Sequence, residues 1–383
     1  MRVLILLAAV LVGCDSPVLE GPNFPADELP WVAAGYGEPV PPILVRERVI
    51  LIGDAGLYLD RDPTLTALGQ WAGEVAGSTV LFLGDNIYDN GLTEAERVEA
   101  ERIISQQLAS TPELKVFIPG NHDWGMDPAR QNVEAILNQQ EYIDAWPEGN
   151  SRFLPRDGCL GPGTLVLSPS AQPAPAVVLV LLDPTPFLTP RLQEFCPQLQ
   201  GEDAHFQALA AMLAEHAEDH VIVASHYPML TGGPHGGLSY GAIGDAIISF
   251  YGWMYGGLGN TYEPAYADWI EKTAAVLRKH PPLIVAAGHD HNLQVLQAGD
   301  VAGLHVVSGA GAPERVTTVT SLPGSIFAHA APGFVVLDFG QREGVETVVL
   351  RVVENGFDAP VFEMLVPLRS PATAPTAAPD WSP

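Results

Sequence analysis

Five short blocks of the chain combine residue types that hold metal ions with glycines that let the backbone turn sharply. They are Gly53-Asp54-Ala55-Gly56, Gly84-Asp85-Asn86-Ile87-Tyr88, Gly120-Asn121-His122-Asp123, Val223-Ala224-Ser225-His226 and Gly288-His289-Asp290-His291. Nearly all follow directly on a short β-branched apolar run, so each metal-capable side chain stands at a strand end. Two Asp, one Tyr, one Asn and three His converging on one sheet edge make an unusual donor set. Imidazoles suit divalent transition ions, whereas carboxylate and phenolate oxygens suit a harder, more highly charged ion. The set is larger than one ion needs. It points to two ions, about 3.5–4 Å apart, bridged by a shared carboxylate.

The elements that must position these blocks are legible as runs. Segments 48–52, 79–83, 115–118, 177–182, 221–224, 283–287 and 304–307 are almost continuously apolar, as strands covered on both faces are. Helical spacing is predicted over 93–108, with Thr93 and Glu96 in capping-box register, and over 203–217 and 265–279. The last third turns mostly β, at 293–297, 304–307, 334–339, 345–353 and 361–366. The pattern is that of an α/β domain whose strands feed polar residues out of their C-terminal ends.

The ordered set D-x-G, G-D-x-x-Y, G-N-H-D, V-x-x-H and G-H-x-H resembles the five-block signature of purple acid phosphatases. These belong to the calcineurin-like metallophosphoesterase superfamily. Residues 84–91 (GDNIYDNG), 226–230 (HYPML), 288–294 (GHDHNLQ) and 308–311 (SGAG) look like the small, tartrate-resistant branch, and the resemblance covers roughly residues 46–340. It implies a metallophosphoesterase-type four-layer sandwich, two mixed β-sheets flanked by helices. It further implies Fe(III) held by Asp54, Asp85, Tyr88 and His291, and a divalent ion (iron, zinc or manganese) held by Asp85, Asn121, His226 and His289. His122 and, by a looser alignment, His235 match imidazoles that act on substrate. Asp123 and Asp290 are expected to orient neighbouring histidines. The implied reaction is hydrolysis of small phosphate monoesters by a metal-bound hydroxide. The same metals could serve a phosphodiesterase or nucleotide pyrophosphatase. Readings from other classes are a surface iron-binding or redox protein and a catalytically silent scaffold. Most of the superfamily carries D-x-H in the first block, but Gly56 stands where that His would be, and Tyr88 supplies the replacement ligand. An anionic phenolate in place of a neutral imidazole hardens the first site towards trivalent iron.

Composition bounds the rest. The chain has 383 residues, 47% of them apolar, and a formal net charge of −27. Such a surface repels nucleic acid and anionic membrane, so neither is expected as a partner through surface charge. It also repels phosphate at long range, but two metal ions would leave the inner site at about +1, and that local charge dominates binding there. At the N-terminus, Met1-Arg2 precedes an apolar run over 3–12, too short for a permanent membrane span. The run ends in Leu11-Val12-Gly13-Cys14, which resembles a bacterial lipobox. The expected organisation is a signal peptide over 1–13, a lipidated tether over 14–44, a catalytic domain over 45–368 and a disordered tail over 369–383. The mature protein is then exported and anchored to the cell envelope through Cys14. Oligomeric state is left open. With Cys14 lipidated, Cys159 and Cys196 remain as an even pair, expected to be bridged. The Gly- and aromatic-rich segment 236–262, with YGWMY at 251–255, has no counterpart in the resemblance and reads as a lid or a subunit contact.

Overall fold

The computed structural model describes residues 22–125, 132–167, 175–189, 202–236, 259–261 and 263–368. The expected signal segment, Cys14, Cys196, nearly all of the segment 236–262 and the tail from 369 lie outside these residues.

Two mixed sheets lie face to face. One has the order β17 (Phe362–Leu365), β16 (Val345–Glu354), β15 (Gly333–Arg342), β3 (Leu44–Ile52), β4 (Thr79–Phe82), β5 (Leu114–Phe117) and β6 (Ser151–Phe153). The other has the order β2 (Trp31–Val32), β14 (Ser325–His329), β11 (Leu293–Gln297), β12 (Leu304–Ser308), β10 (Ile284–Ala287), β9 (His220–Ala224), β8 (Val177–Leu181) and β7 (Gly163–Leu167). A two-stranded ribbon pairs β1 (Asn23–Phe24) with β13 (Val319–Thr320). Strands β3 to β6 are parallel in the first sheet, as are β8, β9, β10 and β12 in the second.

The continuous apolar runs are explained by the layering. Side chains alternate across a strand, and both faces here are covered. Val49 and Leu51 enter the apolar layer between the sheets together with Leu179, Ile222 and Ala286. Their neighbours Ile50 and Ile52 face outward onto helices α1 (Pro63–Gly73), α2 (Arg97–Leu108) and α3 (Val133–Asp144), meeting Leu68, Ile104 and Ile136. On the second sheet Val178, Val180 and Val223 face Leu209, Trp269 and Ile270. Those residues come from α5 (Glu202–Glu215) and α6 (Pro264–Leu277), which follow the short α4 (Thr185–Leu188) in the chain. The result is a four-layer α/β sandwich, two mixed sheets flanked by helices.

Two local expectations are corrected. The helix expected from residue 93 begins at Arg97, and Glu96 makes no side-chain cap. Its carboxylate instead accepts from Asn90 Nδ2 at 3.3 and 3.4 Å, while its N–H closes a turn onto the Thr93 carbonyl. The segment read as a tether is partly built into the fold. Trp31 and Val32 pair with Ala328 and Phe327, Phe24 pairs with Val319, and the Val40 N–H donates to Glu363. Cys159 is disulfide-bonded, and its partner lies outside the described residues.

Candidate metal centre

The C-terminal ends of β3, β4, β5, β9 and β10 open on the same edge, and the two sheets are stitched together there. Gly53 N–H donates to the Ser308 carbonyl at 2.7 Å, and His226 Nδ1–H donates to the Leu83 carbonyl at 2.8 Å. Gly84, at φ +89°, makes this approach possible, because a Cβ on it would stand 2.7 Å from His226 Nδ1. Three of the five non-glycine residues with positive φ among the described residues are Asp54, Asp85 and His289. Left-handed backbone at such residues is unfavourable and persists where the surroundings impose it, commonly at functional sites.

Two clusters of donor atoms result. In the first, Tyr88 Oη lies 3.1 Å from Asp54 Oδ1 and 3.3 Å from His291 Nε2, which is itself 3.3 Å from Asp54 Oδ1. In the second, His226 Nε2 lies 3.0 Å from Asn121 Oδ1, 3.1 Å from His289 Nδ1 and 3.4 Å from Asp85 Oδ1. Asp85 reaches both, since ligand atoms of Asp54, Asp85 and His291 all lie within 4.8 Å of one another.

The chemistry of the donors fits metal ions. Each of the three imidazoles has its outward nitrogen bonded to a backbone carbonyl: His226 to Leu83 at 2.8 Å, His289 to Gly259 at 2.9 Å, His291 to Arg315 at 2.8 Å. Spending the ring N–H outward leaves a bare lone pair facing the cluster, the arrangement that orients metal-binding histidines. His226 Nε2 and His289 Nδ1 then oppose two lone pairs at 3.1 Å, beside a carboxylate and an amide oxygen. Acceptors converge in this way around a cation. Burial, with His235 and His226 alongside, holds His289 well below its ordinary pKa, hence neutral. For His291 burial acts downward, but the Asp54 carboxylate outweighs it and the pKa rises to about 9, so proton and cation compete for Nε2. Burial first, then Asp54 and Asp85, push the Tyr88 hydroxyl well above its usual pKa. A phenolate there requires a strong cation at its oxygen. At Gly56 a Cβ would come within 2.6 Å of the Asp85 carbonyl oxygen and 2.8 Å of the Ile87 nitrogen. With this backbone no histidine can stand at position 56, and the Tyr88 oxygen occupies the neighbourhood of Asp54 instead.

The remaining residues are tied to this centre. His122 Nδ1–H donates to the Asp89 carbonyl at 2.8 Å, which leaves Nε2 on the cluster side, 3.8 Å from Asp85 Oδ2. The His235 ring packs on His289 with centroids 4.0 Å apart, and its Nδ1 bonds Asn260 Oδ1 at 3.2 Å. Asp123 accepts from the backbone N–H groups of Gly120, Asn86 and Ile87, tying two blocks together; burial, then Asp85, raises it to about 7. Asp290 accepts from Thr231 Oγ1 and the His235 N–H, holding the loop that carries His235. Both carboxylates thus hold backbone and side-chain donors of the loops, and the one histidine bonded among these contacts, His235, is held through its backbone N–H. Asp183 accepts from Trp124 Nε1 at 2.8 Å. Outside the centre, His220 and His329 bond Glu346 and Glu354, His216 bonds Asp219, and His305 accepts from the Met229 N–H. The residue that motif reading missed is Arg315. Its guanidinium lies 3.7 Å from the Tyr88 ring centroid and bonds Asp89 Oδ1 at 2.7 Å. One signal was available: Arg315 is the only Lys or Arg between Lys279 and Arg342.

An α/β sandwich with mixed acid, phenol, amide and imidazole donors gathered at its strand ends is the architecture of a metal-site protein. Residues 47–293 match the family of calcineurin-like phosphoesterases, Metallophos, and the chain belongs to it. No curated protein matches the chain. Among solved structures, GAP50, the anchor in the inner membrane complex of Plasmodium, is similar with a TM-score of 0.57 at 16% identity, over 89% of this chain and 99% of that one. A dimetal phosphatase from Danio rerio has a TM-score of 0.47 at 16% identity, over 84% and 99%. The likeness to GAP50 shows a shared fold.

Proposed function

We propose that this protein hydrolyses phosphate monoesters at a two-metal centre of the purple acid phosphatase kind. Asp54, Asp85, Tyr88 and His291 would hold Fe(III), and Asp85, Asn121, His226 and His289 a divalent ion. Bound metals supply Lewis acidity towards the phosphoryl oxygens and lower the pKa of water. The chain's own residues do the rest. His122, fixed in one tautomer by the Asp89 carbonyl, presents Nε2 to the cluster and either protonates the leaving alkoxide or stabilises charge on the phosphoryl group. His235, held by Asn260 and by the loop that Asp290 anchors, packs against His289. The observation that carries the purple branch is the Tyr88 hydroxyl set between Asp54 and His291, opposite a Gly56 with no room for a side chain.

Tyr88→Phe keeps the ring and its packing but removes the ligand oxygen. Iron-loaded, oxidised wild type should absorb in the visible, release phosphate from p-nitrophenyl phosphate, and prefer it to the bis-nitrophenyl diester. The variant should bleach and retain less iron while its circular dichroism stays unchanged. A colourless iron-loaded wild type overturns the Fe(III) assignment, and a preference for the diester moves the activity to phosphodiester hydrolysis.

We place the protein outside the cytoplasm, anchored through lipidated Cys14, with small phosphorylated molecules as substrates and no nucleic-acid partner. The Leu11–Cys14 motif after an apolar run supports the anchor, and no helix among the described residues is long and apolar enough to cross a membrane. Several acyl chains are needed for stable attachment. Cys14→Ser should abolish lipid labelling and move the protein to the soluble fraction; labelling that persists rules the anchor out.

A further inference from the structure

We propose that Arg315 is a positioning residue that locks His122, Tyr88 and His291 into one constellation. The inference rests on the hydrolytic reading above. Arg315 touches three parts of the centre at once. Its backbone carbonyl accepts from His291 Nδ1 at 2.8 Å. Its guanidinium lies over the Tyr88 ring at 3.7 Å, and the His122 imidazole meets the same ring in a T-shaped contact with centroids 4.5 Å apart. Its Nη2 bonds Asp89 Oδ1 at 2.7 Å, and the carbonyl of the same Asp89 holds His122 Nδ1 at 2.8 Å. The side chain of Asp89 is mostly exposed, so without Arg315 the residue that fixes His122 would be tethered by backbone alone. A planar guanidinium can stack on a ring and bond a carboxylate together, which a lysine ammonium cannot.

The contributions separate experimentally. Arg315→Ala should retain its metals, because His291 is held by the backbone of residue 315 rather than its side chain. Its kcat on p-nitrophenyl phosphate should fall about tenfold with KM changed less than about twofold, since small misplacements of a positioned group cost rate rather than binding. Arg315→Lys should not restore the rate. Asp89→Ala should be slow as well, and the double variant no slower than the slower single one, because both cut the same tie. A double variant showing the product of the two losses, or an Arg315→Ala enzyme of wild-type kcat, overturns the proposal. A readout independent of turnover is the His122 imidazole resonance of the protein loaded with zinc alone, assigned by His122→Ala. Arg315→Ala should shift and broaden it while leaving the remote His329, bonded to Glu354, unchanged. If wild type hydrolyses no phosphoester, the proposed function fails but this measurement still decides the positioning role: an unmoved His122 signal refutes it.

Discussion

His226→Ala should give a folded protein that has lost the divalent ion and nearly all turnover. His226 Nε2 is the atom on which the second cluster centres, within 3.4 Å of Asn121, His289 and Asp85. Lewis-acid stabilisation is worth several kcal/mol. At about 1.36 kcal/mol per tenfold, its removal lowers kcat on the order of 10³–10⁴-fold. The side chain is fully buried, and its loss also orphans the Leu83 carbonyl, a cost of about 1–3 kcal/mol in stability. The three apolar layers do not depend on it, so circular dichroism should remain native with a lowered melting temperature. Asn121→Ala is the companion that separates metal loss from the buried cavity: it removes a donor at the rim of the same cluster without opening the core. Elemental analysis per chain and phosphate release check both. A His226→Ala protein with full metal content and wild-type turnover would exclude the second cluster as a metal site.

What was legible in the sequence was whatever depends on residues close together in the chain. The seven apolar runs became strands because alternate residues bury on opposite faces, as Val49 and Ile50 do. The motif blocks were found because each ligand follows a strand end by two to six residues. Helix α1 escaped because PTLTALGQWAG is poor in helix formers. It forms because Asp62 caps the Thr64 and Leu65 N–H groups and because Gly69 lets the helix pass close to the Ser110 carbonyl. Two-residue strands such as β1 and β2 are shorter than the period that would reveal them. The carbonyls of Gly259 and Arg315 that orient His289 and His291 are equally invisible, because any residue type offers one and only the tertiary fold chooses which. The capping-box pattern at Thr93 misled because Asn90 competes for the Glu96 carboxylate.

His122→Ala should retain both metal ions and lose roughly 10²–10⁴-fold in rate, the range for removing a general acid or charge stabiliser. Its Nε2 stands 3.8 Å from Asp85 Oδ2, too far for a hydrogen bond, and it belongs to neither donor cluster. Asp85 does accept from the His122 N–H at 2.9 Å, but that is a backbone bond and survives substitution. The seven proposed ligands therefore keep their supports, and metal content should match wild type. The lost ring leaves the Tyr88 ring partly uncovered, which predicts at most a small shift of the visible band. Leaving-group dependence tells the two roles of His122 apart. A residue that protonates the departing oxygen matters little for nitrophenolate, which leaves unaided, and much for an alkyl alkoxide. A residue that stabilises charge on the phosphoryl group matters about equally for both. On the proton-donor role, the loss on an alkyl phosphate should exceed that on p-nitrophenyl phosphate by about tenfold or more. Equal losses on the two substrates assign charge stabilisation, and near-normal rates on both remove His122 from the reaction.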